Sequence, residues 1–276
     1  MTRRRSPACL LAAGAALVAC FELSAPASDL GSISSLELAW PSVVIGDSLR
    51  DSTGDPAPLR VEAFDGSGQL VTDAHVTFIA LDTGLSVTGT GFVIGERFRT
   101  SPAKIVAHVQ RGGDVLQTPE INVDVVPRPD SVSPFGFDTL PVKAYTLTGI
   151  ADTSWITSDS IKVTVSNRSR AASDPNTAGV RSWIVRYEIT NPNEGVGGAV
   201  SAFFAGGVGN PTVIVDTTDA NGVAFRQVIL RTVVLPPASK IRVHEVKVTA
   251  TVRERGQNVP GSPIQFVVPF DIRNPE

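Results

Sequence analysis

Val246-Lys247-Val248-Thr249-Ala250-Thr251-Val252 sets an apolar residue at every second position and a polar one between. Successive side chains of an extended strand point to opposite faces, so this is a strand with one side buried and one side wet. The same period recurs along the chain. Leu59, Val61 and Ala63 alternate with Arg60 and Glu62; Ile105, Ala107 and Val109 with Lys104 and His108; Ile121, Val123 and Val125 with Asn122 and Asp124. Further on, Ile161, Val163 and Val165 alternate with Lys162 and Thr164, and Trp183, Val185, Tyr187 and Ile189 with Arg186 and Glu188. The last such run, Ile264-Gln265-Phe266-Val267-Val268-Pro269-Phe270, is compatible with Pro269 only at a sheet edge or a bulge. Past the N-terminal segment, apolar residues never recur at i, i+3, i+4 and i+7 over three turns, which leaves helices a minor component. The chain's 24 glycines and 20 prolines punctuate strand-length runs at the spacing of β-sandwiches. Asp65-Gly66-Ser67-Gly68 and Asp219-Ala220-Asn221-Gly222 are the clearest turns, expected as tight hairpins. The fold class read from this pattern is all-β.

The N-terminus reads differently. Arg3, Arg4 and Arg5 precede an apolar run over residues 8–19 that is too short to span a bilayer. It ends in Leu17-Val18-Ala19-Cys20, which resembles the lipobox of bacterial lipoproteins. The resemblance implies that residues 1–19 are a signal peptide, that Cys20 is acylated by palmitate-like chains, and that these hold the mature chain to a membrane. Phe21 after the cysteine favours the outer membrane, so the expected location is the cell envelope, with the folded part facing the periplasm or the surface. Residues 20–35 are rich in Ser, Ala, Pro and Gly and suit a flexible tether. Cys9 leaves with the signal, so no intramolecular disulfide is expected. The formal charge of −3 becomes more acidic once the three arginines are removed, which argues against a nucleic-acid partner.

Three prolines, Pro127, Pro129 and Pro134, cannot donate to a ladder, and residues 128–141 are expected to be a stiff linker. It would separate one sandwich over 36–127 from a second over 142–276, each of domain size. The second is long for seven strands, with the surplus assigned to a polar loop at 168–179 and an extra strand near 142–147. Val43-Val44-Ile45-Gly46-Asp47-Ser48-Leu49, Val76-Thr77-Phe78 and Ala103-Lys104-Ile105-Val106-Ala107 resemble the second group of bacterial Ig-like domains, with Phe78 at the usual tryptophan. Thr218-Asp219-Ala220-Asn221-Gly222-Val223-Ala224 and the Val246 to Val252 strand are similar to the invasin/intimin type. The resemblances imply two tandem Ig-like β-sandwiches after a lipoprotein signal, and name no ligand.

Gly46-Asp47-Ser48-Leu49 is also the signature of a family of serine esterases. Those enzymes pair the serine with a histidine preceded three residues earlier by aspartate, and they are built on βαβ units. Here the residues three before His75, His108 and His244 are Thr72, Ile105 and Ile241, and amphipathic helices are missing from the pattern. Ser48 is therefore read as part of a turn entering a strand, and no catalytic residue is expected. Asp216, Asp219 and Asn221 supply oxygens near one turn, but their spacing is not that of an EF-hand, and a bare hairpin turn is the favoured reading. No metal or other cofactor is expected. Trp155 is a candidate for sugar stacking, although a core or inter-domain position is favoured for so large an aromatic; Trp183 is read as core. The functional expectation is a non-enzymatic, lipid-anchored envelope protein whose domains act as spacer, adhesion or binding modules toward a protein or glycan. The alternatives are a structural or accessory subunit of an envelope complex, and a carbohydrate-binding module, which would need two exposed aromatics on one face.

Overall fold

The computed structural model describes residues 30–135, 145–148, 155–169, 178–194, 200–232 and 243–273. Residues 20–29 of the expected 20–35 tether, Cys20 included, and most of the 168–179 loop lie outside them; residues 30–35 are not a free tether, because Leu30 is buried and Ser32–Ile33 pairs with Ala63–Phe64. Every extended element of the described residues is a strand, and the fold is all-β.

In the first unit, a sheet runs in the order Ser42–Val44, Ile121–Val126, Ala103–Arg111 and His75–Ala80, with Asp114–Gln117 also on the long third strand. Ser42–Val44 lies parallel to Ile121–Val126, and the other neighbours are antiparallel. The alternation read from the sequence fixes which side chains point in: Ala103, Ile105, Ala107 and Val109 are fully buried, with Lys104 exposed between them. Ala103, Ile105 and Ala107 pack with Val43, Leu49, Leu59, Val93, Val123 and Val125, and Val109 with Leu30 and Ala63. The expected strand from Leu59 to Ala63 is shorter than its pattern, since only Ala63–Phe64 forms a ladder while Arg60 makes a single bridge to Glu37. The Asp65 turn behaves as expected: Asp65 Oδ1 accepts from the amides of Ser67 and Gln69 and joins Ala63–Phe64 to Leu70–Val71.

The second unit is a sandwich. Its larger sheet has the order Tyr145–Thr148, Ile264–Arg273, Val243–Thr251, Ile184–Ile189 and Val213–Thr217. Facing it are a four-stranded sheet, Trp155–Thr157, Val228–Thr232, Val200–Phe204 and Asn193–Glu194, and a three-stranded one, Ser131–Pro134, Ile161–Ser166 and Val223–Arg226. Val185, Tyr187, Val246, Val248, Phe266 and Val268 from the first layer share one core with Val163, Val165, Phe204, Ala224 and Leu230 from the second. Tyr187 and Phe204 meet edge to face with centroids 6.3 Å apart. The Tyr187 hydroxyl is buried without a hydrogen-bond partner among the described residues, and burial pushes its phenol well above the usual range.

Other expectations change as well. The 128–141 linker is not free of ladder, because Ser131–Pro134 pairs residue for residue with Ile161–Ser166. Pro134 stands last in that strand, where a missing donor does no harm, so the connection shrinks to residues 127–130. Even these are tied down: Asn167 Nδ2 donates to Arg128 O at 2.7 Å, and the Arg168 amide to Asp130 Oδ1 at 2.8 Å. Pro269 lies in a strand with neighbours on both sides, not on an edge, but among the described residues the second neighbour begins at the Tyr145–Phe270 pair. Its nitrogen thus sits one residue outside the parallel ladder. The turn at 219–222 is real, with Asp219 Oδ1 accepting from Asn221 N and Val223 N. It is not a ladder hairpin, because Val213–Thr217 and Val223–Arg226 belong to different layers.

Candidate functional site

The Gly46-Asp47-Ser48-Leu49 stretch lies at the seam between the two units. Gly46 takes φ +73° in a turn closed by Asp47 N donating to Val44 O at 3.1 Å. That turn sends Leu49 into the first core at 1% exposure and leaves the Asp47 carboxylate almost buried beneath the second unit. Ser48 has its amide on Asp47 Oδ1 at 2.9 Å and its backbone bridged to Ile94. The imidazole of His108 bonds to Gln117 Oε1 instead of to a serine. The residue that carries weight in this motif is the aspartate.

Asp47 gathers three guanidinium groups. Arg50 of its own loop reaches both carboxylate oxygens, through Nε to Oδ2 at 3.1 Å and through a terminal nitrogen to Oδ1 at 2.9 Å. Arg255 of the second unit holds Oδ2 through two nitrogens at 2.8 and 2.6 Å, and Arg128 of the connection lies 3.5 Å from the same oxygen. Burial by itself would raise the Asp47 pKa, but the hydrogen bonds from Arg50 and Arg255 and from the Ser48 amide outweigh it and hold the carboxyl down at about 2. Glu254 balances the surplus positive charge, at 3.5 Å from Arg128 and 3.4 Å from Arg255.

A second clasp lies alongside. Arg181 donates to the backbone carbonyls of Arg99 and Thr100 and pairs with Asp124 at 2.6 Å, and Ser182 Oγ also donates to Asp124. Ser42 Oγ donates back to Ser182 O at 3.1 Å. Trp40 and Trp183 cross edge to face with centroids 5.9 Å apart, and Trp183 Nε1 donates to Arg253 O at 3.1 Å. The backbones touch as well. A Cβ on Gly54 would stand 2.2 Å from the Arg255 carbonyl carbon, and one on Gly256 would stand 2.3 Å from Thr53 O. Val44 and Val126 of the first unit pack into the core of the second, so the apolar interior is continuous across the seam. A small cavity of about 30 Å³ remains between Trp40, Asp47, Trp183 and Glu254.

The other candidate residues fall elsewhere. Trp155 is 67% exposed, against the favoured core or inter-domain position. It lies on the edge strand of the four-stranded sheet, and within Trp155–Thr157 it is Ile156 that turns toward the core. Asp216 is committed to protein partners: Oδ2 is 3.0 Å from Arg226 and accepts from the Phe225 amide at 3.2 Å. Arg226 also donates to Val215 O at 3.0 Å, so the pair covers the open edge of Val213–Thr217. Asp219 and Asn221 are exposed at the turn they form. Among the described residues, no group of three His, Cys, Asp or Glu side chains is placed to hold a metal ion. Nor is any helix long and apolar enough to cross a membrane. Sequence reasoning missed the seam entirely: Asp47 and Arg255 are far apart in the chain, and nothing in either local pattern links them.

No protein-family model matches the chain. No curated relative matches it either. Among solved structures, it is similar to cadherin-like domains 1 to 4 of zebrafish RET at 11% identity and a TM-score of 0.28, over 87% of this chain and 48% of that one. The chain thus spans about half the length of that structure. It is also similar to the CupB6 tip adhesin of Pseudomonas aeruginosa at 8% identity and a TM-score of 0.30, over 90% of this chain and 98% of that one.

Proposed function

We propose that this chain is a non-enzymatic, lipid-anchored envelope protein in which two Ig-like sandwiches are locked into one stiff spacer that carries binding surface away from the membrane. The observation that carries the reading is the seam. Independent beads on a string need no buried inter-domain carboxylate, and inter-domain motion is the default unless the interface resists it. Here a nearly buried Asp47 is held by guanidinium groups from the connection and from the second unit. A carboxylate so placed penalises separation of the units, because opening would break charge-assisted hydrogen bonds that hold it in a dry setting. The membrane end of the proposal rests on Cys20 and the lipobox-like residues before it, with the outer membrane as the expected site.

Two measurements test it. Small-angle scattering from a chain starting at residue 21 is expected to give one fixed elongated envelope, and a broad distribution of inter-domain angles refutes the spacer. Cys20→Ala is expected to move the protein from the membrane fraction to the soluble envelope fraction. Unchanged fractionation refutes the anchor.

A further inference from the structure

The outer face of the three-stranded sheet breaks the rule that its strands otherwise follow. Its outward positions are Ser133 on the first strand and Phe135 just past its end, Lys162 and Thr164 on the middle one, and Val223 and Phe225 on the third. Polar residues belong on such a face, yet Phe135 is 54% and Phe225 53% exposed. Register places them on either side of Lys162: Phe225 is its direct cross-strand partner, and the Phe135 amide donates to Lys162 O at 3.1 Å. With strands about 4.8 Å apart, the two rings rise from backbones about 10 Å apart. The Lys162 ammonium lies 5.3 Å from the Phe135 ring centroid. Asp219 and Asn221, on the turn that precedes the third strand, close one end of this open groove.

We infer that this groove binds a neutral glycan, with pyranose rings stacked on Phe225 and, once the Lys162 side chain swings off its ring to meet a hydroxyl, on Phe135, and with further hydroxyl groups bonded to Asp219 and Asn221. The inference rests on the binding-surface part of the proposed function and names its ligand class. The occupant follows from the mixture of groups. A purely apolar partner would strip water from the Lys162 ammonium and the Asp219 carboxylate and give neither a hydrogen bond in return. Nucleic acid is disfavoured by Asp219 at the groove and by the chain's formal charge of −3. A pyranose has both faces that the groove asks for: an apolar C–H surface for a phenyl ring, and a rim of hydroxyls that donate and accept.

The test is calorimetric titration of the Cys20→Ala chain with cellohexaose, maltohexaose and chitohexaose. At least one is expected to bind, with Phe135→Ala and Phe225→Ala each weakening it about tenfold, the loss expected for removing one stacking surface. Phe225→Tyr is expected to retain binding, and Trp155→Ala, on a different sheet, to leave it unchanged. Circular dichroism shows whether each variant is folded. Absence of heat with all three oligosaccharides at millimolar concentration overturns the inference. So does binding that survives both alanine substitutions, or displacement of the sugar by an apolar peptide. Scattering on the same samples keeps the outcomes apart: a fixed envelope without sugar binding removes the glycan and leaves the spacer standing.

Discussion

Replacing Asp47 by asparagine keeps the shape of the side chain and removes its charge, which isolates the electrostatic part of the seam. The carboxyl is lowered from 3.8 to about 2 in the folded chain. At 1.36 kcal/mol per unit, that is ~2 kcal/mol of preference for the ionised form. Side-chain exposure is 26% for Arg50, 43% for Arg128 and 41% for Arg255, so solvent screens the partners and ~1–2 kcal/mol is the expected loss in Asp47→Asn. The sign with pH follows. A carboxyl whose folded pKa is depressed contributes in full above its unfolded value near 4, and the contribution drains away as pH falls toward 2. Urea unfolding of a chain starting at residue 21, run between pH 6 and pH 2, therefore has a specific expectation. The wild type should lose ~1–2 kcal/mol more than Asp47→Asn between pH 4 and pH 2, and the two should converge at the acid end. Parallel pH profiles, or a loss below about 0.5 kcal/mol at pH 6, would falsify the assignment of Asp47 as the hub of the seam.

Other perturbations have equally definite expectations. Gly256→Ala forces a Cβ to 2.3 Å from Thr53 O at a residue with φ +73°, and should open the seam, seen as a wider envelope by scattering and faster proteolysis at residues 127–130. Tyr187→Phe removes a buried hydroxyl that has no partner among the described residues, so stability by urea titration should hold or rise by up to about 1 kcal/mol; a clear loss would mean that the hydroxyl is satisfied. Phe204→Ala, at 1% exposure in the second core, should cost about 3–5 kcal/mol in the same titration.

The strands were legible because burial in a sandwich acts locally, residue by residue. The alternation at Val246, Val248 and Ala250 is a direct image of three side chains at 0% exposure with Lys247 and Thr249 between them. Where two opposing rules meet, that reading strained. Prolines at 127, 129 and 134 argue against a ladder as a group, yet Val132 is buried and the strand forms because only its last residue lacks a donor. The size of Trp155 argued for burial, but a strand has two faces, and Ile156 took the inner one. The seam had no local image at all. Arg255 stands on a tight turn between Arg253–Glu254 and Gln257–Asn258, where an arginine looks like any surface cation. Only the approach of the two units turns it into the partner of Asp47. The phenylalanine pair of the three-stranded sheet lay between these cases: Phe225 opposite Lys162 sits out of phase with its own strand pattern, but its neighbour Phe135 fell within the expected linker.

The parallel pairing of Ser42–Val44 with Ile121–Val126 has a mechanical consequence if the chain is pulled by its two ends. Tension along the backbone first strips the two-residue ladder of Ser32–Ile33, which can open like a zipper. The load then falls on Ser42–Val44 and Ile121–Val126, which are pulled from opposite ends while running in the same direction. Their hydrogen bonds lie across the pull and must yield together instead of one at a time. In the second unit Tyr145–Thr148 also runs parallel to Phe270–Arg273, but Ser131–Pro134, antiparallel to Ile161–Ser166, stands ahead of it in the chain. Pulled along its length, the first unit therefore meets the force with a ladder loaded in shear once Ser32–Ile33 has peeled away.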